Sequence, residues 1–435
     1  MGGFSFKPVV VALIMSFAII TNFSFVVTQS SQDRLYFYYV DITEVTQARG
    51  YSEGYFEIPI NYSDGLYSQK VFLVSYGGNV SLVKVGESAT SFKILISNGT
   101  YGYLILNVTV EHNMSRELGL ITYIRFSNDT KAYSSPYPEE LLSKYVLNPD
   151  PLVVKYVIPE FENWLKERYK ITAPTDISKT YLAVKAAEFI YGRYFIKYNA
   201  SALPRTTKEV IESRQGDCDD MSRILLSILW YYGIPAKIVY GYVYLPYDET
   251  IGIYGSYLRF INAGPHGFVT AYVPKVGWIS LDLLAYARLH YPVLITGETT
   301  DIQITEETLN QVREEYSKYS YIELLATYEI NATTTEFIKH VISDPIKTLR
   351  SYLNPQNINT TTTPQPPTTS TTPNHTQTTQ NTSTEPSLNT HAIFIALSFL
   401  ITPLLAYMAR KLVRVVNHDS LNITSSSSTM SIHHI

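Results

Sequence analysis

The sequence predicts an α+β protein whose first third is all-β and whose middle mixes long helices with paired strands. Between residues 31 and 135, short runs rich in Tyr, Val, Ile and Leu alternate with Gly, Asn and Asp at turn positions. From 136 to 235 the apolar residues shift to helical spacing. After Pro235, period-two alternation returns on both sides of a turn at Pro274 to Gly277.

The all-β part carries candidate strands at 34–42, 54–60, 69–76, 79–86, 90–97, 101–111 and 119–127. YGGN at 76–79 and SNGTYG at 97–102 have hairpin composition. Short strands at this spacing predict a β-sandwich. No converging acids, metal-ligand cluster or phosphate loop occurs there, so this region is expected to serve as a spacer or interaction domain. Further on, FENWLKERY (161–169) and ISKTYLAVKAAEFIYGRYFIKY (177–198) read as helices. Thr206 and Glu209 form a T-x-x-E capping box before a short helix.

The next helix organises the chain. Cys218 is the only cysteine among 435 residues. Asp217 is a good N-cap, and Met221, Ile224, Leu225, Ile228, Leu229 and Tyr232 form one apolar face. Gly233 and Ile234-Pro235 end the helix. A lone thiol therefore stands on a first helical turn, where unpaired N–H groups and the helix dipole favour thiolate. Asp219 and Asp220 oppose that charge. They read as first-turn acids answering the dipole, with side chains expected to point away. Strands follow at 237–244, 266–273 and 278–283, with a tyrosine-rich excursion at 245–262 between the first two. Residues 300–353 hold two amphipathic helical patches.

Thiol acyl chemistry needs a thiolate, a histidine to move the proton and a carboxylate or amide to orient the ring. Cys218, His266 and Asp282 are the candidates in chain order. With a turn near 274 or 275, His266 is expected opposite residue 282 or 283 of the next strand. The backbone N–H of Cys218 is a candidate oxyanion donor; Tyr191, Tyr194 and Tyr198 are candidates for a second. Trp278 reads as packing. The bland alternatives are a core cysteine, a strand histidine and a turn aspartate.

SRQGDCDDMSRILLSILWYYGIPAKIVYGYV (213–243) followed by HGFVTAYVPKVGWISLDLL (266–284) resembles the transglutaminase-like superfamily, which has a papain-like fold. The resemblance implies Cys218 as nucleophile, His266 as general base and acid, and Asp282 as orienting carboxylate. No cofactor and no metal are expected. Gly267 and Phe268 stand where the family usually has Ala and Trp, Leu283 where it has Pro, and Lys237 where it has Arg. None of these removes a catalytic group.

Composition bounds the rest. The hydrophobic fraction is 45%, the charged fraction 17% and the net charge −4, which gives no sign of nucleic-acid binding. One cysteine excludes an intrachain disulfide. Lys7 precedes an apolar run from Val9 to Ile20, as in a signal peptide or signal anchor. A second run, Ala392 to Ala409, is followed by Arg410, Lys411 and Arg414, the pattern of a membrane helix with a cytoplasmic C-terminus. N-x-S/T sequons recur, including Asn61, Asn79, Asn98, Asn107, Asn113, Asn128, Asn199 and Asn331. The expected organisation is a signal segment at 1–30, a β-sandwich-like domain at 31–150 and a papain-like, transglutaminase-like catalytic domain at 151–300. A helical extension at 301–353, a Thr/Pro-rich stalk at 354–390, a transmembrane helix at 391–409 and a cytoplasmic tail at 410–435 follow. The expected function is that of a membrane-anchored extracellular thiol enzyme, a glycoprotein acting on amide or peptide bonds of protein or peptide substrates at the cell surface. The alternative is a non-enzymatic surface or adhesion protein that keeps the domain as a scaffold.

Overall fold

The computed structural model describes residues 33–354 apart from 51, 86–88, 200–203, 246 and 284–292. The signal segment, the Thr/Pro stalk, the 391–409 run and the tail lie outside the described residues. Among the described residues, no helix is long and apolar enough to cross a membrane.

The first strands are β1 (Asp33–Ala48), β2 (Ser52–Glu57), β3 (Tyr62–Asp64), β4 (Tyr67–Gly78), β5 (Val80–Val85), β6 (Ala89–Ile96) and β7 (Tyr101–His112). The segment expected as a seventh sandwich strand is a helix, α1 (Met114–Phe126). Its LITYI run has strand composition, but Asn113 caps the helix by accepting from the Arg116 N–H, and Leu120, Ile121 and Ile124 share one buried face. Helices α2 (Glu139–Tyr145), α3 (Ile158–Tyr169), α4 (Lys179–Tyr191), α5 (Thr207–Ser213) and α6 (Cys218–Tyr231) follow, with the two-residue strands β8 (Lys197–Tyr198) and β9 (Gln215–Gly216) among them. The helix expected at 177–198 therefore stops at Tyr191, with Gly192 at its C-cap. Then come β10 (Ala236–Tyr244), β11 (Glu249–Ile253), β12 (Ser256–Ile261), β13 (Ala263–Val273), β14 (Gly277–Ser280) and β15 (Val293–Thr299). The chain continues through α7 (Glu306–Tyr316), β16 (Tyr319–Glu329), α8 (Ala332–Ser343) and α9 (Pro345–Leu353).

The β-rich start does not close into a separate sandwich. One sheet runs β11-β12-β16-β1-β7-β4-β3, so strands from both ends of the described chain share it. The sixteen residues of β1 offer two free edges; β7 takes one and β16 the other, paired from Phe37↔Glu329 to Ala48↔Tyr319 with one register shift between Val45 and Gln47. Both faces of β1 carry apolar residues, and each is covered. Val40, Ile42 and Ile105 pack under Phe337, Ile338, Val341 and Leu349 of α8 and α9. Phe37, Tyr39, Leu106 and Val108 pack against Val239, Val243, Phe268 and Leu294 of a second sheet, ordered β14-β13-β10-β15. The far face of that second sheet carries Ile238, Val269 and Ala271 and packs with α1, α3, α4 and α6. Layers of helix, sheet, sheet and helix result, each apolar stripe meeting another. The extension at 301–353 is helical at both expected patches, but β16 lies between them and completes the first sheet.

Candidate active site

Asp217 starts α6 in extended conformation and accepts from the Asp220 N–H; the Asp220 carboxylate accepts in turn from the Asp217 N–H at 3.3 Å. This reciprocal cap holds the turn that presents Cys218, and a cap of this kind contributes about 1 kcal/mol. Gly216 is required by space: a Cβ there would lie 2.8 Å from the Asp220 Cβ. At the other end Gly233 takes φ +65° and Ile234 N–H returns to Leu229 O, as expected. Met221, Ile224, Leu225, Ile228 and Leu229 are fully buried. The Cys218 residue itself is 4% exposed.

His266 lies within β13, opposite Gly241 of β10. A Cβ on Gly241 would lie 2.1 Å from Leu294 O, so the strand beside the histidine must be bare. The ladder between β13 and β14 ends at Thr270↔Ser280, and Leu281 N–H bonds Val269 O. Asp282 thus stands two residues beyond the strand instead of directly opposite His266. Its carboxylate reaches back: His266 Nε2 donates to Asp282 Oδ2 at 2.7 Å. The imidazole also stacks on Phe268, with ring centroids 5.7 Å apart. His266 and Asp282 are 5% and 1% exposed, so their hydrogen bond is shielded from water.

Ser222, one turn after Cys218, joins the thiol helix to the histidine strand. Its hydroxyl lies 2.6 Å from Cys218 O and 3.3 Å from Gly267 O, the carbonyl next to His266. Tyr191 Oη lies 3.1 Å from the same hydroxyl. Burial, with the charges of Asp282 and Cys218, pushes the Tyr191 phenol above its ordinary range. Of the three candidate oxyanion tyrosines, Tyr194 is 44% exposed and packs on Trp164. Tyr198 pairs with Gly216 in the β8–β9 ladder, and its phenol is raised by burial, then by the charges of Cys218, Asp217, Asp219 and Glu249. Trp278 packs against Tyr145 and Tyr272, as expected.

The first-turn acids do not point into solvent. Asp217, Asp219 and Asp220 are all buried, and their oxygens lie within 4.8 Å of one another. Two guanidiniums answer them. Arg205 reaches Asp220 at 2.8 Å and Asp217 at 3.7 Å; Arg223 pairs with Asp220 and lies 3.6 Å from Asp219. Burial and mutual repulsion raise the carboxyls of Asp217 and Asp219. With two cations already in place, the cluster is a counter-charge network around the thiol helix. Arg223 was legible in the sequence, since it stands three and four residues after these acids on a helix. Arg205 was not, because its contact comes from the loop ahead of α5.

Residues 155–283 match the family model described as "Transglutaminase-like superfamily". The chain carries a transglutaminase-like domain. Its matched segment opens before α3 and closes just after Asp282. A protein of Bacillus subtilis (strain 168), "Uncharacterized protein YebA", is 26% identical over 220 residues, which are 48% of this chain and 29% of that protein. The chain thus spans less than a third of the length of that relative. A solved structure from Cytophaga hutchinsonii, described as a "Putative Cysteine Protease", is similar over 69% of this chain and 92% of its own, with 13% identity and a TM-score of 0.39. The family match spans Cys218, His266 and Asp282.

Proposed function

We propose that the chain is a thiol acyl enzyme in which Cys218, His266 and Asp282 act together on amide or peptide bonds. The observation that carries this reading is the 2.7 Å bond between His266 Nε2 and Asp282 Oδ2, on a strand that Ser222 ties to the first turn of the Cys218 helix. That bond fixes the tautomer with its proton on Nε2 and leaves Nδ1 free to take the thiol proton. The sulfur attacks the carbonyl carbon, and the tetrahedral oxyanion is met by the Cys218 N–H at the helix start. Collapse breaks the C–N bond; the leaving amine takes the proton from His266 Nδ1, and a thioester remains. Water then gives hydrolysis, and an amine gives transamidation.

Iodoacetamide labelling of Cys218 across pH tests the reading. The thiolate is expected to titrate below the free value of about 8.5, and His266→Ala is expected to move it upward. A titration at or above that value in both proteins would sink the proposal. Peptide mass spectrometry with and without an added amine separates shortened products from new isopeptides.

A scaffold reading has one observation in its favour: Cys218 and His266 are 4% and 5% exposed. Failure of Cys218 to label in the folded chain would favour it. The same proposal holds the domain outside a cell membrane, supported by the apolar run Ala392 to Ala409 and by Arg410, Lys411 and Arg414 after it. Carbonate washing should release a chain stopped at residue 390 and leave the full chain in the membrane.

A further inference from the structure

Helix α1 ends at Phe126, and the turn after it carries a sequon, Asn128-Asp129-Thr130. The turn is held from several sides. Tyr123 Oη donates to Asp129 Oδ2 at 3.1 Å, and Asp129 Oδ1 accepts from the Lys131 N–H at 3.2 Å. Thr130 O accepts from the N–H of Ser178, the N-cap of α4, at 2.7 Å. Asn128 O accepts from the Thr130 N–H, so the exposed Asn128 stands on a tight bend.

Phe126, two residues ahead, is 75% exposed, the most open large apolar side chain among the described residues. The Arg125 guanidinium lies 5.2 Å from its ring centroid, yet most of the ring stays in water. Tyr123, one turn earlier on the same helix, is 49% exposed. Apolar surface left in water in this way is unfavourable unless something covers it.

The sequons differ in how the fold uses them. Asn61, Asn98, Asn113 and Asn331 accept backbone N–H groups through Oδ1, and Asn199 Nδ2 donates to Gln215. Asn107 Oδ1 is buried within β7, and Asn79 is held in its hairpin by both backbone groups. The exposed Asn128 carboxamide makes no hydrogen bond among the described residues. An N-x-S/T asparagine on a surface turn is an acceptor for an N-linked oligosaccharide. A pyranose has an apolar face of C–H groups, which suits the electron-rich face of an aromatic ring. The Cα atoms of Phe126 and Asn128 are no more than about 7 Å apart, so a sugar on one reaches the other.

We infer that Asn128 carries an N-linked oligosaccharide whose first sugar lies on the open face of Phe126. This goes beyond the acyl-enzyme reading and rests on the outward placement proposed above. The donor is a lipid-linked oligosaccharide. The Asn128 amide nitrogen bonds to the anomeric carbon, the bond from that carbon to the lipid phosphate breaks, and the amide proton leaves with the phosphate.

The test uses the full chain expressed in a host that glycosylates translocated proteins. Peptide mass spectrometry should find a sugar increment on the peptide that holds Asn128, and Asn128→Gln should remove it. Asn128→Gln is expected to lower the unfolding midpoint by roughly 1–2 °C and to leave it unmoved when made in Phe126→Ala. Both side chains are exposed, so neither substitution threatens the fold. A bare Asn128 beside sugar on another sequon overturns the inference and leaves the outward placement standing. A chain labelled from outside yet bare at every sequon overturns it as well. Sugar on Asn128 with equal midpoint losses in the two backgrounds overturns the contact with Phe126. Failure of a membrane-impermeant amine reagent to label the chain on intact cells strikes the outward placement instead.

Discussion

Asp282 Oδ2 lies 2.7 Å from His266 Nε2, yet Asp282 stands two residues beyond the last rung of the strand that carries it. The carboxylate is positioned by a short excursion after Ser280, and Asp282 N–H returns to Ser280 Oγ at 3.2 Å. Asp282→Asn keeps the shape and removes the charge that holds the imidazolium. Acyl-thioester formation should fall by roughly 10²- to 10⁴-fold, while the thermal midpoint moves by only a few degrees. Equal rates in rapid-quench single-turnover assays would remove Asp282 from the mechanism.

The acids flanking Cys218 make a second expectation. Arg205 is mostly buried against Asp220, which is fully buried, and it also faces Asp217. Arg205→Met leaves three carboxyls to one guanidinium. Breaking such a buried pair typically costs about 3–5 kcal/mol. Denaturant unfolding should show a loss of that order, and the iodoacetamide titration of Cys218 should shift upward because the unanswered acids repel a thiolate. A stable variant with an unshifted titration would show that Arg205 serves neither the fold nor the thiol.

Much of the thiol helix could be read locally. Asp217, the apolar stripe and Gly233-Pro235 act within a few residues of one another, and each took its expected role. The pairing of β1 with β16 could not, because Phe37 and Glu329 meet only after the whole domain has folded between them. LITYI at 120–124 misled for a related reason: its composition suits a strand, but the burial that decides its periodicity is supplied by α4. At the site, the residue types and order of Cys218, His266 and Asp282 were legible, whereas Arg205 owes its partners to tertiary placement.

A pair of carboxyls inside the first sheet contributes to pH dependence. Thr43 on β1 faces Glu323 on β16, and Asp41 accepts from Thr43 Oγ1 at 3.0 Å. Burial raises Asp41 to about 7, and burial with the Asp41 charge raises Glu323 well above its ordinary range. Unfolded carboxyls titrate near about 4. The folded state therefore holds protons that the unfolded chain releases, so stability falls as pH rises from about 4 through 7 and is greatest below that window. Glu323→Gln should flatten the slope between pH 4 and 7. A denaturant series over that range with identical slopes in both proteins would contradict the assignment.

The last expectation concerns a link between the first strands and the site. Glu117 on α1 is fully buried; one oxygen pairs with His112 Nε2, and the other accepts from the Ser280 N–H. Ser280 lies two residues before Asp282, so this carboxylate holds the strand end from which Asp282 reaches His266. Glu117→Ala removes the acceptor for a buried N–H and strands His112, whose Nδ1 already lacks a partner. Buried groups left without partners cost about 1–3 kcal/mol each, and the loss should appear in the unfolding midpoint. Glu117→Gln keeps an acceptor for Ser280 and should recover most of the acylation rate while recovering less of the stability. If Glu117→Ala lost stability but acylated at the native rate, Glu117 would support the fold without positioning Asp282.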